Sequence, residues 1–444
     1  MTHTEPVNKT LDDWISHETI PFSLDSRPDF KAAVDKVIAA LGDSVELLGF
    51  GEALHGGEEL LILRNQLFQR LVETHSYSAI AIESSFPKGR LVNDYVLGRG
   101  PASYDEVKDT GFSHTFGKVE ANRELVEWMR QYNTDPAHPV KLQFYGFDSP
   151  TDTTHTDSPR HTLEVALDYL GSIDSAAGQE YRNRIEAVIG ADADWENPAA
   201  IMDPTKGIGQ SDSAKALRVE TEELIAELLV RRPELVAKSD KASYQEALLF
   251  AVETRQLLHY HAVLAIAAKN RQARLLSIRD AIMAENLSYI VSREKVRGKV
   301  MAFAHNSHLK RGRIQWQLGD ENLIWWAVGS HLNEIFGQRY AVIGSGLGES
   351  PANGIGQPET GTLEARLTAA PGPGRFIPTH LGQGLSAEEI AALPVRSGST
   401  RNGSYLEQFR AQSFTDYDYL AVIDTVTYSR GWPSLEDWGA SSSQ

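Results

Sequence analysis

The sequence predicts an α/β fold, with a mostly parallel central sheet and a helical insertion capping the edge where its strands end. Three observations lead there. Short apolar runs at 45–50, 79–82, 140–145 and 299–304 alternate with helical patterns. Each run delivers ionisable residues at or just past its end: Glu52 and His55, then Glu83, then Asp148, then His305 and His308. Between the third and fourth runs, residues 149–296 are mostly long helices, more than one crossover requires.

Taken in order, residues 1–29 read as a loosely held lead-in, with a short helix at 11–17 and turn signals at Pro21 and Pro28. A helix over 30–41 places Phe30, Val34, Val37, Ile38 and Leu41 on one face. The strand 45–50 breaks at Gly51 and leaves Glu52 and His55 in a glycine-flanked turn. A helix starting near Gly57 then turns Leu60, Leu61, Leu63, Leu67, Phe68 and Leu71 toward a sheet. Arg64 sits among them, and spacing alone leaves open whether it is a surface cation or points back over the strand end.

The run 79–82 ends in Glu83. Helices follow at 89–97 and 121–132, with 104–116 unassigned, and 140–145 runs on into Asp148. The insertion carries helices at 214–230, 243–268 and 271–291, and its loop 191–211 is expected to be its mobile part. After 299–304 come further strands at 340–343 and 419–423, while 345–374, rich in Gly and Pro, reads as loop. The expected organisation is a core of residues 1–148 and 297–444 with 149–296 inserted as a cap.

Composition narrows the function classes. Against 43 Lys and Arg stand 60 Asp and Glu, a net charge of −17 that argues against nucleic acid and anionic membranes as partners. The absence of cysteine excludes disulfides, thiolate zinc sites and cysteine nucleophiles. No run reaches the roughly 18 apolar residues of a membrane helix, and the N-terminus lacks a signal-peptide pattern, so a cytoplasmic protein is expected. Oligomeric state is not legible.

Glu52, His55, Glu83, His305 and His308 are suited to activating water: a neutral imidazole accepts a proton and a carboxylate fixes its tautomer. Arg64, or the second histidine pair if protonated, would meet developing oxyanion charge. The same histidines and glutamates also suit a divalent metal, although the pattern is not HExxH and Arg64 would repel a cation. Ser84, Ser85 and Ser345 lack the GxSxG elbow and read as turn residues. Taken singly, Glu52 could cap a helix, Glu83 and Asp148 could form turns, and Arg64 could be a surface ion-pair partner. Convergence of several strand ends on one edge favours a site. His75 reads as neutralising a helix end, Lys88 and Arg90 as solvated, Trp325 and Trp326 as core, and His114 carries no assignment.

GEALHGGEE at 51–59, Arg64, AIAIESS at 79–85, GRLVNDYVLG, ELVEWMRQYN, FYGFD, RDAIMAEN at 279–286 and AHNSH at 304–308 together resemble the erythromycin esterase family. The likeness is collinear over about 90–345, with the first motif ahead of it. Two stretches depart from the family: 114–117 lacks its tryptophan, and 345–356 differs from its glycine-phenylalanine segment. The resemblance implies hydrolysis of a macrolide's macrocyclic lactone by metal-independent attack of water, without a cofactor, and hence macrolide inactivation. It assigns His55 as general base, Glu52 and Glu83 as orienting groups, and Arg64, His305 and His308 as groups polarising the ester. A hydrolase of another ester or amide, metal-assisted or not, and a non-catalytic binder of hydrophobic ligands are the alternatives.

Overall fold

A computed structural model describes residues 9–151, 156–398 and 406–433. Ten strands appear among them: β1 (Ile20–Phe22), β2 (Leu47–Glu52), β3 (Tyr77–Ser85), β4 (Gln143–Asp148), β5 (Lys299–His305), β6 (Arg313–Leu318), β7 (Glu321–Trp326), β8 (Tyr340–Glu349), β9 (Gly374–Pro378) and β10 (Tyr419–Thr425). Eight form one sheet in the order β1-β9-β10-β8-β2-β5-β3-β4, and β6 and β7 form a separate hairpin. From β10 through β4 every pairing is parallel, and β9 and β1 close one edge antiparallel. The expected α/β architecture with a mostly parallel sheet is the one observed.

Both faces of the sheet are covered, which is why its strands read as continuous apolar runs. On one face Leu48, Phe50, Ile80, Ile82, Met301 and Phe303 pack against Leu60, Leu63, Leu67, Phe68 and Leu71 of the helix Glu58–Thr74. On the other, Leu47, Ala79, Ala81, Val300 and Ala302 pack against Met283, Leu287, Ile290 and Val291 of the helix Arg271–Glu294. The period-2 alternation of strand side chains sets these two faces. The helices Pro159–Ile173, Ser175–Ile189, Asp212–Val230 and Lys241–Leu264 share a separate apolar core around Leu167, Leu170, Leu224 and Leu258.

Several expectations are corrected. The lead-in is anchored: Leu11 and Trp14 of the helix Leu11–Glu18 are fully buried, and Trp14 Nε1–H donates to the Pro378 carbonyl at 2.8 Å. The stretch 345–374 is not all loop, because β8 runs on to Glu349 and a helix covers Leu363–Thr368. Its glycines let neighbouring side chains lie flat on the strand; Phe409 packs where a Gly346 Cβ would stand. Within 191–211, Trp195 is buried and donates to the Ile189 carbonyl, tethering that loop to the helical core. Trp326, expected in the core, is 51% exposed under the Arg313 guanidinium. No helix among the described residues is long and apolar enough to cross a membrane.

Candidate active site

Strand register brings the ionisable residues together. Glu52, the last residue of β2, lies directly beside His305, the last of β5, and Asp148, the last of β4, lies beside Ser85 of β3. A register shift in β3 between Ile82 and Ser85 falls at Glu83, where an irregular strand end can re-aim a side chain. Glu52, Glu83, Asp148 and His305 therefore stand on the carboxyl edge.

The ends of β2, β5 and β8 are locked by Asn306, whose Nδ2 donates to the Ser345 carbonyl at 2.6 Å while its Oδ1 accepts from the Ser345 N–H at 3.0 Å. Only glycine fits at position 51, because a Cβ there would stand 2.3 Å from Asn306 Oδ1. Ser345 Oγ in turn accepts from the Ala53 N–H at 2.8 Å and fixes the Glu52–His55 turn. Ser345 thus has a structural task, and Ser84 and Ser113 similarly bind one another.

In that turn His55 Nδ1–H donates to Glu52 Oε1 at 2.6 Å, which resolves which glutamate contacts His55. The His55 side chain is 24% exposed, and among the described residues nothing bonds its Nε2. Burial disfavours the imidazolium, but the Glu52 and Glu83 carboxylates outweigh it and raise the His55 pKa above its ordinary value. Its ring lies 5.0 Å from that of His305, 5.9 Å from Phe116 and 6.2 Å from Trp432. Gly56, at φ +75°, permits the turn and leaves room for the Trp432 indole.

Arg64 is 1% exposed and is no surface cation. Its guanidinium binds Asn65 Oδ1 and Asn122 Oδ1 and lies 4.7 Å over the Phe303 ring, with no carboxylate in ion-pair range among the described residues. Burial lowers its pKa to about 10, which still leaves it charged at neutral pH. With Glu52, Phe116, Phe303 and Trp432 it lines a narrow slot of about 10 Å³, room for about one water. A buried cation facing such a slot is suited to meet negative charge that develops there.

Beside this slot lies a denser charge cluster. Arg279, from the helix Arg271–Glu294, donates to Asp148 through Nε at 2.9 Å and Nη2 at 2.6 Å, and to Glu83 Oε1 at 3.1 Å. Glu83 Oε2 accepts from the His305 backbone N–H at 2.8 Å. His308 Nδ1–H donates to Asp280 Oδ1 at 2.9 Å and its Nε2 stands 3.4 Å from Glu83 Oε1, while Trp325 Nε1–H donates to Asp280 Oδ2. Burial opposes charge on His308, but Asp280 and Glu83 raise its pKa to about 10. Burial would raise the Glu83 carboxyl, yet His308, His55 and Arg279 hold it well below its usual range. His305 differs: burial and His55 depress it to about 4, and its Nδ1 accepts from the Ser307 N–H.

Asp148 also accepts from His114 Nε2–H at 2.9 Å. Its carboxyl, which burial alone would raise, is lowered by Arg279 and His114. Sequence reasoning assigns nothing to His114, Phe116 or Trp432, and reaches Arg279 and Asp280 only as part of the RDAIMAEN motif. Among the described residues no group of three His, Asp or Glu side chains is arranged to hold a metal ion.

The family model for erythromycin esterase matches residues 72–426. The chain belongs to the erythromycin esterase family. Membership places it among hydrolases of the esterase kind. Erythromycin esterase type II of Escherichia coli is 23% identical over 343 residues, spanning 75% of this chain and 76% of that protein. A crystal structure of a Bacillus cereus protein superimposes with a TM-score of 0.72 at 17% identity, covering 94% of this chain and 98% of the other. A mutant of the erythromycin esterase EreC in its open conformation gives 0.67 at 17% identity, over 93% and 98%. At that identity the structural likeness speaks for the family's fold. The family match begins after Glu52, His55 and Arg64, so their assignment rests on motif and geometry.

Proposed function

We propose that the protein hydrolyses a carboxylic ester by water activated at His55, with the macrocyclic lactone of a macrolide as favoured substrate and inactivation of the macrolide as the outcome. The observation that carries this is the Glu52–His55 pair: Glu52, which lines the slot, takes Nδ1–H and leaves Nε2 to accept a proton. Water adds to the carbonyl carbon as its proton passes to Nε2, and Glu52 stabilises the resulting imidazolium. The oxyanion faces Arg64. Collapse breaks the bond to the alkoxy oxygen, giving a carboxylic acid and an alcohol, which for a lactone are parts of one opened chain.

His305, neutral with its proton on Nε2, assists in polarising the carbonyl. His308 has a different role from the one implied by the resemblance, because both of its ring nitrogens face carboxylates. It positions Glu83, which in turn holds the His305 backbone. The same pairing supports a metal-independent reaction: a cation at Glu83 would have to displace Arg279 and His308. In this reading residues 149–296 are the cap, and the helix Arg271–Glu294 is the part of it that reaches the chemistry.

The slot's narrowness favours a second reading, hydrolysis of a smaller ester. Mass spectrometry distinguishes them. Chelator-treated protein is incubated with macrolides of differing ring size and with small alkyl and aryl esters, and the products are weighed for addition of one water. A gain of one water on any macrolide supports the lactone. Turnover of small esters alone supports the second reading. No turnover of any compound overturns both.

A further inference from the structure

His114 is held in a conformation that side chains rarely adopt. It sits at φ 54° and Thr115 at φ 61°, two consecutive non-glycine residues in the left-handed region, which L side chains rarely occupy. Neighbouring bonds impose it. Ser113 N–H donates to Ser84 Oγ and Ser113 Oγ accepts from the Ser85 N–H, both at 2.9 Å, which staples the loop to the end of β3. On its other side Tyr104 Oη–H donates to the Gly117 carbonyl at 2.9 Å.

The product of this strain is an oriented imidazole. His114 Nε2–H donates to Asp148 Oδ2 at 2.9 Å, and Asp148 is itself fixed by two bonds from Arg279. The other ring nitrogen, Nδ1, has no hydrogen-bond partner among the described residues, and the side chain is 17% exposed. Phe116 lies against both imidazoles, 5.5 Å from His114 and 5.9 Å from His55. A carboxylate-anchored histidine with one open nitrogen thus faces the base-bearing turn across a single ring. Packing does not require this: Asp148 keeps its Arg279 partner without His114, and a glycine would relieve the backbone.

We infer that His114 is a second catalytic histidine, the general acid that protonates the leaving alkoxide, while His55 serves the attacking water. This rests on the ester-hydrolase reading above. An ester lying over Phe116 presents its carbonyl carbon to the water at His55 and its alkoxy oxygen to His114. As the carbon–oxygen bond breaks, its electron pair stays on the alkoxy oxygen, which takes the proton from Nδ1 of the His114 imidazolium. Neutral His114 then regains a proton from solvent, to which His55 has released the one taken from water.

The test uses two esters of one acid, a p-nitrophenyl ester, whose leaving group needs no proton, and an ethyl ester, whose leaving group does. Full-length wild type and the variants His114→Gln and His114→Gly are compared by kcat on each, with thermal melts alongside. The expected result is that the ethyl-to-aryl rate ratio falls about 100-fold or more in both variants. His114→Gly should melt at or above the wild-type temperature, since glycine suits φ 54°. Added imidazole should restore ethyl-ester turnover to His114→Gly. Equal losses on both esters, or an unchanged ratio, would overturn the assignment while leaving the hydrolase reading intact. If the wild type turns over neither ester but opens a macrolide, the variants are compared on that lactone, whose alkoxide also needs a proton, and an unchanged rate would overturn the assignment; failure on every ester and lactone would overturn the two together.

Discussion

Replacing Glu52 by glutamine probes the site at its shortest bond to the base. Glutamine keeps the shape and can still accept the His55 Nδ1–H, now 2.6 Å from Glu52 Oε1, but it brings no charge to stabilise the imidazolium formed during proton transfer. A charge-assisted hydrogen bond contributes about 1.5–3 kcal/mol net. Two unit charges near 4 Å apart at an effective dielectric of 20 interact by about 4 kcal/mol, which sets the upper bound. At 1.36 kcal/mol per decade, kcat should fall about 10- to 1,000-fold. The pH profile carries a second, independent signature. His55 must be neutral to accept a proton, and its pKa is raised above 6.5 by Glu52, so wild-type activity should fall as pH drops through a value above 6.5. Without the carboxylate that acid limb moves to lower pH even as the plateau drops. The assay is kcat/KM for an ester turned over by the wild type, from about pH 5 to 9. An acid limb that stays in place, with kcat unchanged, would refute His55 as the base and Glu52 as its partner.

Three further outcomes follow from the same geometry. His308→Gln leaves Asp280 and Glu83 facing one another without the cation between them, and should cost about 3–5 kcal/mol in urea unfolding at pH 7. In the wild type, the His308 pKa is raised from 6.5 to about 10, so its stabilisation is complete below pH 6.5 and is lost as pH rises through about 10; the variant should lack that loss. Gly51→Ala drives a Cβ to 2.3 Å from Asn306 Oδ1, so Asn306 must leave Ser345, with a destabilisation of about 1–3 kcal/mol by chemical denaturation and reduced kcat as Glu52 and His305 separate. Trp432→Ala removes the ring stacked beside His55 and Phe116, and KM for an aromatic ester should rise about tenfold with a smaller change in kcat; unchanged KM would remove Trp432 from the substrate wall.

Much of the sheet was legible because β2, β3, β5 and β8 are buried on both faces and therefore stand out as apolar runs between helices. Boundaries differ where polar residues complete a strand: the apolar pattern puts β4 at 140–145, whereas it begins at Gln143 and ends on Asp148, and β2 runs on to Glu52. The antiparallel edge went unread, since β1 and β9 are short and carry Pro21, Gly374 and Pro378, which signal turns. Histidines and acids past strand ends could be picked out one strand at a time. Their partners Arg279 and Asp280 could not, because they lie within a helix whose angle to the sheet only packing determines. Arg64 was ambiguous for the same reason. His114 was hidden more deeply, as positive φ at a histidine leaves no mark in the sequence comparable to a glycine.

The site is divided between two kinds of support. Glu52, Glu83, Asp148 and His305 stand on adjoining strand ends, and Arg279 and His308 tie Glu83 and Asp148 into one cluster. Phe116 and Trp432, which wall the slot, belong instead to the segment before the helix Glu120–Thr134 and to the chain beyond β10. Substitutions at Phe116 and Trp432 can therefore reshape the wall while the strand-end residues stay in register. Divergence in substrate range is then mechanically cheap for this architecture, and relatives that keep the strand-end residues can differ in what they cleave through changes confined to two short stretches of connecting chain.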